Sequence, residues 1–202
     1  MKASPARHPG RCLLRRIRTA GSDDEVTVGH RLSAKLWNTR AETSADIPTI
    51  RGINLAAFST PAEADLVDSL RADSTAWIKG LSLVAADETG HLVGHALLTR
   101  CHIDTTPALC LAPSAVRPEQ QRTGAGTAAV RAALAAARSL GERHVVVLGH
   151  PAYYPRFGFT RASNHGIGLT IDVPDDALMA LSLDAGHPLP SGTVRYAAAF
   201  GI

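Results

Sequence analysis

The chain has 202 residues, enough for one domain with a sizeable core plus an extension, and its 45% hydrophobic and 19% charged residues are ordinary for a globular protein. No apolar run approaches the ~18 residues that crossing a bilayer requires, so a membrane-spanning helix is not expected. The formal net charge of +3 is uneven: the first twenty residues carry six basic and no acidic side chains, while the remainder carries 15 basic and 18 acidic ones. The body therefore lacks the basic excess of a nucleic-acid binder.

Residues 1–30 read as a basic, then Gly/Ser/Asp-rich extension without the apolar segment of a secretory signal, and residues 31–202 as a single domain. The three cysteines, Cys12, Cys101 and Cys110, form no CxxC pair, and no HExxH occurs. A zinc framework is not expected, and the odd count fits a reducing, cytoplasmic compartment.

Taken in order, Lys35 to Arg40 is a short strand. Thr43 or Ser44 caps a helix reaching about Phe58, with Pro48 tolerable only in its first turn. Thr60 caps a second helix with Pro61 in its first position, an apolar stripe of Ala64, Leu66, Val67 and Leu70, and a solvated face of Asp65, Asp68 and Arg71. Leu81 to Asp87 and His91 to Arg100 are strands around a Glu88-Thr89-Gly90 turn. Leu109 to Val116 is a third strand; a tight turn at Asp104 to Pro107 would set Cys101 opposite Cys110. A helix from about Thr127 buries Val130, Leu134, Ala137 and Leu140 and ends at Gly141. His144 to Gly149 is a continuous apolar run, as in a parallel strand buried on both faces. Strand, helix and strand make a right-handed crossover. A short helical piece near Asp175 and strands in Leu178 to Asp184 and Ser191 to Phe200 complete the chain.

Between the third strand and the long helix lies Gln121-Arg122-Thr123-Gly124-Ala125-Gly126. A Gly-rich loop opening a helix offers unpaired backbone N–H groups beside the positive end of the helix dipole, a ready site for phosphate. A P-loop would need a GK[ST] ending, which is missing. Gly124, Gly126 and Ala129 satisfy the dinucleotide pattern G-x-G-x-x-G/A. However, about seven residues separate Val116 from the first glycine, and no acid stands ~20 residues on to hold a ribose.

The run Gln121-x-x-Gly124-x-Gly126, set between a strand and a long helix, resembles motif A of the GNAT acyltransferases. Tyr154-Pro155-Arg156-Phe157-Gly158-Phe159 resembles the same family's motif B, and the segment from Asp172 to Leu181 is similar to the tail of one acetyltransferase branch. The resemblance implies an α/β fold with a central twisted mixed sheet flanked by helices and two strands splayed at the cofactor site. It implies transfer of an acetyl group from acetyl-CoA to an amine by direct attack, without a metal. A non-catalytic acyl-CoA-binding module on the same fold is the alternative. Carried over by position, the backbone of Val116 pairs with the pantetheine amides, and the N–H of Ser114 polarises the thioester carbonyl. Gln121, Arg122, Thr123, Gly124, Ala125, Gly126 and Thr127 hold the pyrophosphate. Tyr154 is the general acid. The position where some members carry a general-base Glu is Cys110 here, which leaves His150, a water-relayed base or no base at all. Homodimerisation is implied by resemblance only, and the acceptor has no signature.

Overall fold

A computed structural model describes residues 36–202. The expected extension at 1–30, Cys12 and the start of the expected first strand at Lys35 lie outside these residues.

The architecture is α/β, built on one open mixed sheet. In chain order the described elements are β1 (Asn38–Ala41), α1 (Ile47–Ala57), α2 (Ala62–Ala72), β2 (Ser82–Ala86), β3 (Leu92–Ile103), β4 (Thr106–Val116), α3 (Ala125–Ser139), β5 (His144–Leu148), β6 (Thr160–Arg161), β7 (Ile167–Gly168), β8 (Leu178–Ser182) and β9 (Gly192–Arg195). The strand order is β1-β2-β3-β4-β5-β8-β6, with β9 paired to the far end of β3 and β7 to β9. β4 and β5 are parallel and joined through α3, the expected crossover.

Side-chain alternation sorts β3 onto two cores. Ala96 and Leu98 face α3, packing with Leu109, Leu111, Val130, Leu134 and Val147. Leu97 faces α1 and α2 beside Ile50, Val67 and Leu70, while Cys101, Ile103 and Cys110 join Val146, Leu178 and Val194 farther along that face. Leu140 ends α3 at 54% exposure rather than in the core, because the helix closes one residue earlier and Gly141, at φ +79°, turns the chain away.

Several local expectations shift. Thr43 does cap the first helical segment, reciprocally with Asp46, and Pro48 sits in the first turn of α1. The second helix starts one residue later than expected: Pro61 occupies the cap and its carbonyl accepts the Asp65 N–H at 2.9 Å. Its polar face is less solvated than the composition suggests. Arg71 is held between Glu42, bidentate at 3.0 Å, and Asp68 at 3.0 Å, while Arg51 reaches Asp65 at 2.7 Å and Asp68 at 2.5 Å. The acidic piece near Asp175 is a single turn, closed by the Ala177 N–H on the Pro174 carbonyl, and not a helix.

The β3–β4 hairpin turns on Asp104 and Thr105, so β4 begins earlier than expected. Its register sets Cys110 opposite Thr99 and Cys101 opposite Ala108, which corrects the expected Cys101–Cys110 alignment. Both thiols are free and buried. Burial raises Cys101 to about 12 and pushes Cys110 well above the usual thiol range.

Candidate active site

Two features of β4 prepare a cleft. Its parallel pairing with β5 is confined to Leu109 with Val145 and Cys110 with Val146, although β4 continues to Val116 and β5 to Leu148. Beyond Cys110 the two strands part. A bulge opposite Ala96 to Leu98 and a cis peptide between Ala112 and Pro113 lie in the diverging stretch.

Backbone alternation then decides which groups line the opening. The Arg117 N–H donates to the Val93 carbonyl at 2.9 Å, so the pair Val93–Arg117, and with it His95–Ala115, exchanges hydrogen bonds across β3 and β4. The intervening residues on β3 turn the other way, as the Leu98 N–H on the Leu81 carbonyl shows. By the same alternation the N–H and C=O of Ser114 and Val116 point away from β3, into the gap beside β5.

The loop that follows is shaped for an anion. Arg122, at φ +61°, and Gly124, at φ +98°, are both left-handed, and Gly124 is the cap of α3. The first intrahelical bond runs from the Ala128 N–H to the Gly124 carbonyl. Among the described residues, no backbone carbonyl accepts from the N–H groups of Arg122, Thr123, Gly124, Ala125, Gly126 or Thr127. The helix therefore starts two residues earlier than its expected start at Thr127, and Ala125 to Thr127 form its first turn. Six consecutive donors at a helix N-terminus suit a phosphate. A side chain at Gly126 would be crowded: a β-carbon there would stand 3.0 Å from Val116 Cγ2 and 3.2 Å from the Tyr153 hydroxyl. Gln121 turns inward, its Nε2 donating to the Val116 carbonyl at 3.3 Å, while Thr123 Oγ1 donates to the Gln120 carbonyl at 2.6 Å.

Tyr154 opens a short 3₁₀ turn, Tyr154–Phe157, after β5. Its ring packs edge-on to Tyr153 at 5.1 Å and Phe159 at 5.8 Å between centroids. Burial, with smaller contributions from Tyr153 and Cys110, raises its phenol above the usual range, so Tyr154 stays protonated through neutral pH. Tyr153 extends beside the first turn of α3, with the Arg156 guanidinium 4.5 Å from its ring centre. His150 is exposed at the end of β5, its Nδ1 accepting the Ala152 N–H at 3.4 Å. Sequence reasoning missed Gly149, whose missing β-carbon leaves room for the Tyr154 ring.

Comparison with known proteins decides what this cleft belongs to. The model of the acetyltransferase (GNAT) family matches residues 48–159. The chain belongs to the GNAT acetyltransferase family. It is similar to the uncharacterized N-acetyltransferase YjhQ of Escherichia coli (strain K12), 38% identical over 161 residues that cover 76% of this chain and 88% of that protein. Among solved structures, the GNAT family N-acetyltransferase YhbS from Escherichia coli, in complex with CoA, superposes with a TM-score of 0.75 at 28% identity, covering 86% of this chain and 97% of that one. A GNAT family acetyltransferase from Brucella melitensis in complex with acetyl-CoA gives a TM-score of 0.66 at 31% identity over 82% of this chain and 99% of that one. This GNAT chain is thus an acetyltransferase by family, with the splayed strands of β4 and β5 expected from the resemblance.

Among the described residues no group of three or more His, Cys, Asp or Glu stands where it could hold a metal, and no helix is long and apolar enough to cross a membrane. On the α1 side, the fully buried His95 links two elements. Ser82 Oγ donates to Glu42, so His95 Nε2 donates to Ser82 at 2.9 Å and its Nδ1 accepts from Asn54 Nδ2 at 3.3 Å. Burial, then the nearby Arg71 charge, lowers His95 to about 3 and keeps it neutral.

Proposed function

We propose that this protein transfers an acetyl group from acetyl-CoA to an amine by direct attack. The single observation that carries this reading is the parting of β4 from β5 beside six backbone donors that find no backbone acceptor among the described residues. Such a gap would take an extended thioester arm and end it on a phosphate cradle.

Ser114 and Val116 present the outward N–H and C=O groups that would hold the pantetheine arm, and the Ser114 N–H would stabilise negative charge on the thioester oxygen. Arg122 to Thr127 would bind the pyrophosphate through their amides, and Gln121 would brace the loop against the end of β4. The amine nitrogen attacks the thioester carbon, the C–S bond breaks, and Tyr154 gives its phenolic proton to the departing thiolate. Tyr154 recovers that proton from solvent, and the amine nitrogen loses its own to water. What supports Tyr154 in this role is its place directly after β5, its ring seated against Gly149 and its phenolic proton retained at neutral pH. Cys110, buried with its thiol raised, is no base for the incoming amine.

The test is calorimetric titration with CoA and with NAD(P)H, followed by incubation with acetyl-CoA and a panel of amines. Acetylated product is read by mass spectrometry and released CoA by thiol assay. CoA binding with product formation is expected. CoA binding without thiol release from any amine would favour a non-catalytic acyl-CoA module, and NAD(P)H binding without CoA binding would overturn the reading.

A further inference from the structure

Trp37 stands just ahead of β1, 86 residues from the glycine loop, yet its indole Nε1 donates to the Thr123 carbonyl at 3.1 Å. The ring also lies against Gly124: a β-carbon built there would be 3.4 Å from Nε1 and 3.8 Å from Cδ1. This is a tertiary contact onto the loop that opens α3.

Its consequence follows from the planarity of the peptide. In a trans peptide the C=O and the following N–H point to opposite sides. Holding the Thr123 carbonyl on the indole therefore directs the Gly124 N–H away from Trp37, toward the open side of the loop. The flanking backbone needs such a hold. Arg122 is left-handed without being glycine, a conformation that persists only where its surroundings impose it. Two further braces among the described residues are local: Thr123 Oγ1 reaches back three residues to Gln120, and Gln121 Nε2 reaches back five residues to Val116. Trp37 instead ties the loop to the sheet, because the next residue, Asn38, is in register with Ala86 of β2.

We propose that Trp37 is a positioning residue of the coenzyme site. It presets the Thr123–Gly124 peptide so that the Gly124 N–H joins the donors facing the pyrophosphate. The proposal deepens the acetyl-CoA reading and rests on it. Trp37 touches the loop and not the thioester, so its contribution belongs to the phosphate end of the ligand.

The experiment compares Trp37→Phe with the unsubstituted protein, using two ligands and needing no acceptor. CoA carries the pyrophosphate; S-acetylpantetheine carries the same arm without it. Dissociation constants are measured by calorimetry and, for the weaker ligand, ligand-observed NMR. Loss of one preorganising hydrogen bond should weaken CoA roughly three- to tenfold and leave S-acetylpantetheine unchanged. Unaltered CoA affinity, or an equal loss for both ligands, would overturn the proposal, the latter because it marks a general structural role. Failure of the unsubstituted protein to bind CoA would instead remove the acetyl-CoA reading beneath it. A second measurement leaves Trp37 in place. In a Trp77→Phe background, Trp37 fluorescence should respond to inorganic pyrophosphate and to CoA but not to S-acetylpantetheine, and silence toward CoA would overturn the proposal.

Discussion

The ring of Tyr154 lies so close to Gly149 that a β-carbon on Gly149 would overlap it. The end of β5 and the proposed acid are therefore one steric unit. Gly149→Ala should displace the Tyr154 ring, lowering turnover by more than it weakens CoA and costing about 1–3 kcal/mol of stability. Steady-state kinetics beside a CoA titration and a thermal melt check this; wild-type turnover would break the link.

Tyr154→Phe keeps the packing against Tyr153 and Phe159 and removes the proton. Turnover with a competent acceptor should fall by about 10²–10⁴-fold, with CoA affinity little changed. An unchanged rate would remove Tyr154 from the mechanism.

Gly126→Ala tests the phosphate cradle by steric means. The new methyl would crowd Val116 Cγ2 at 3.0 Å and the Tyr153 hydroxyl at 3.2 Å. CoA affinity should drop, and shortening Tyr153 in the pair Gly126→Ala, Tyr153→Phe should restore part of it. A double variant that binds no better than the single one would locate the clash at Val116 alone.

His95 makes stability depend on pH in a definite direction. Its folded value, about 3, lies below the ~6.5 of an unfolded histidine. Between those values the unfolded chain binds the extra proton, so stability is full above about pH 6.5 and is lost as pH falls, by at most ~1.4 kcal/mol per pH unit. Urea melts at a series of pH values should show this slope, and His95→Gln should flatten it above pH 5 while lowering stability through the disturbed Ser82–Asn54 bridge. An identical slope in the variant would assign the effect elsewhere.

Cys101 and Cys110 are each about 1% exposed. A thiol reagent should modify neither in the native protein and both after denaturation, with or without added reductant. Slow native-state labelling at the global unfolding rate would agree with this; fast labelling would contradict the burial.

Much of this protein is legible in one dimension because the relevant physics is local. The period-2 and period-3.6 patterns, the Gly141 stop and the VVV run follow from propensity and burial of nearby residues, and they set out the β4-α3-β5 crossover. The glycine loop is legible too, since the role proposed for it depends on consecutive amides and on a left-handed cap, both carried by adjacent residues. Where reading failed, competing local signals were nearly balanced, as at Pro61, or depended on register. Two residues of register separate the expected Cys101–Cys110 alignment from the observed Cys110–Thr99 pair, and hairpin register is decided by the turn at Asp104 and Thr105.

By itself the sequence determined the class of fold, the glycine loop that opens α3 and the aromatic run that contains Tyr154. All of these are encoded in contiguous residues. Only the tertiary structure decided where β4 leaves β5, which amides of Ser114 and Val116 face the gap, that Gly149 seats Tyr154, and that Trp37 reaches the Thr123 carbonyl from 86 residues away. Those relationships join groups distant along the chain, and nothing in the local backbone preferences of either partner encodes the other.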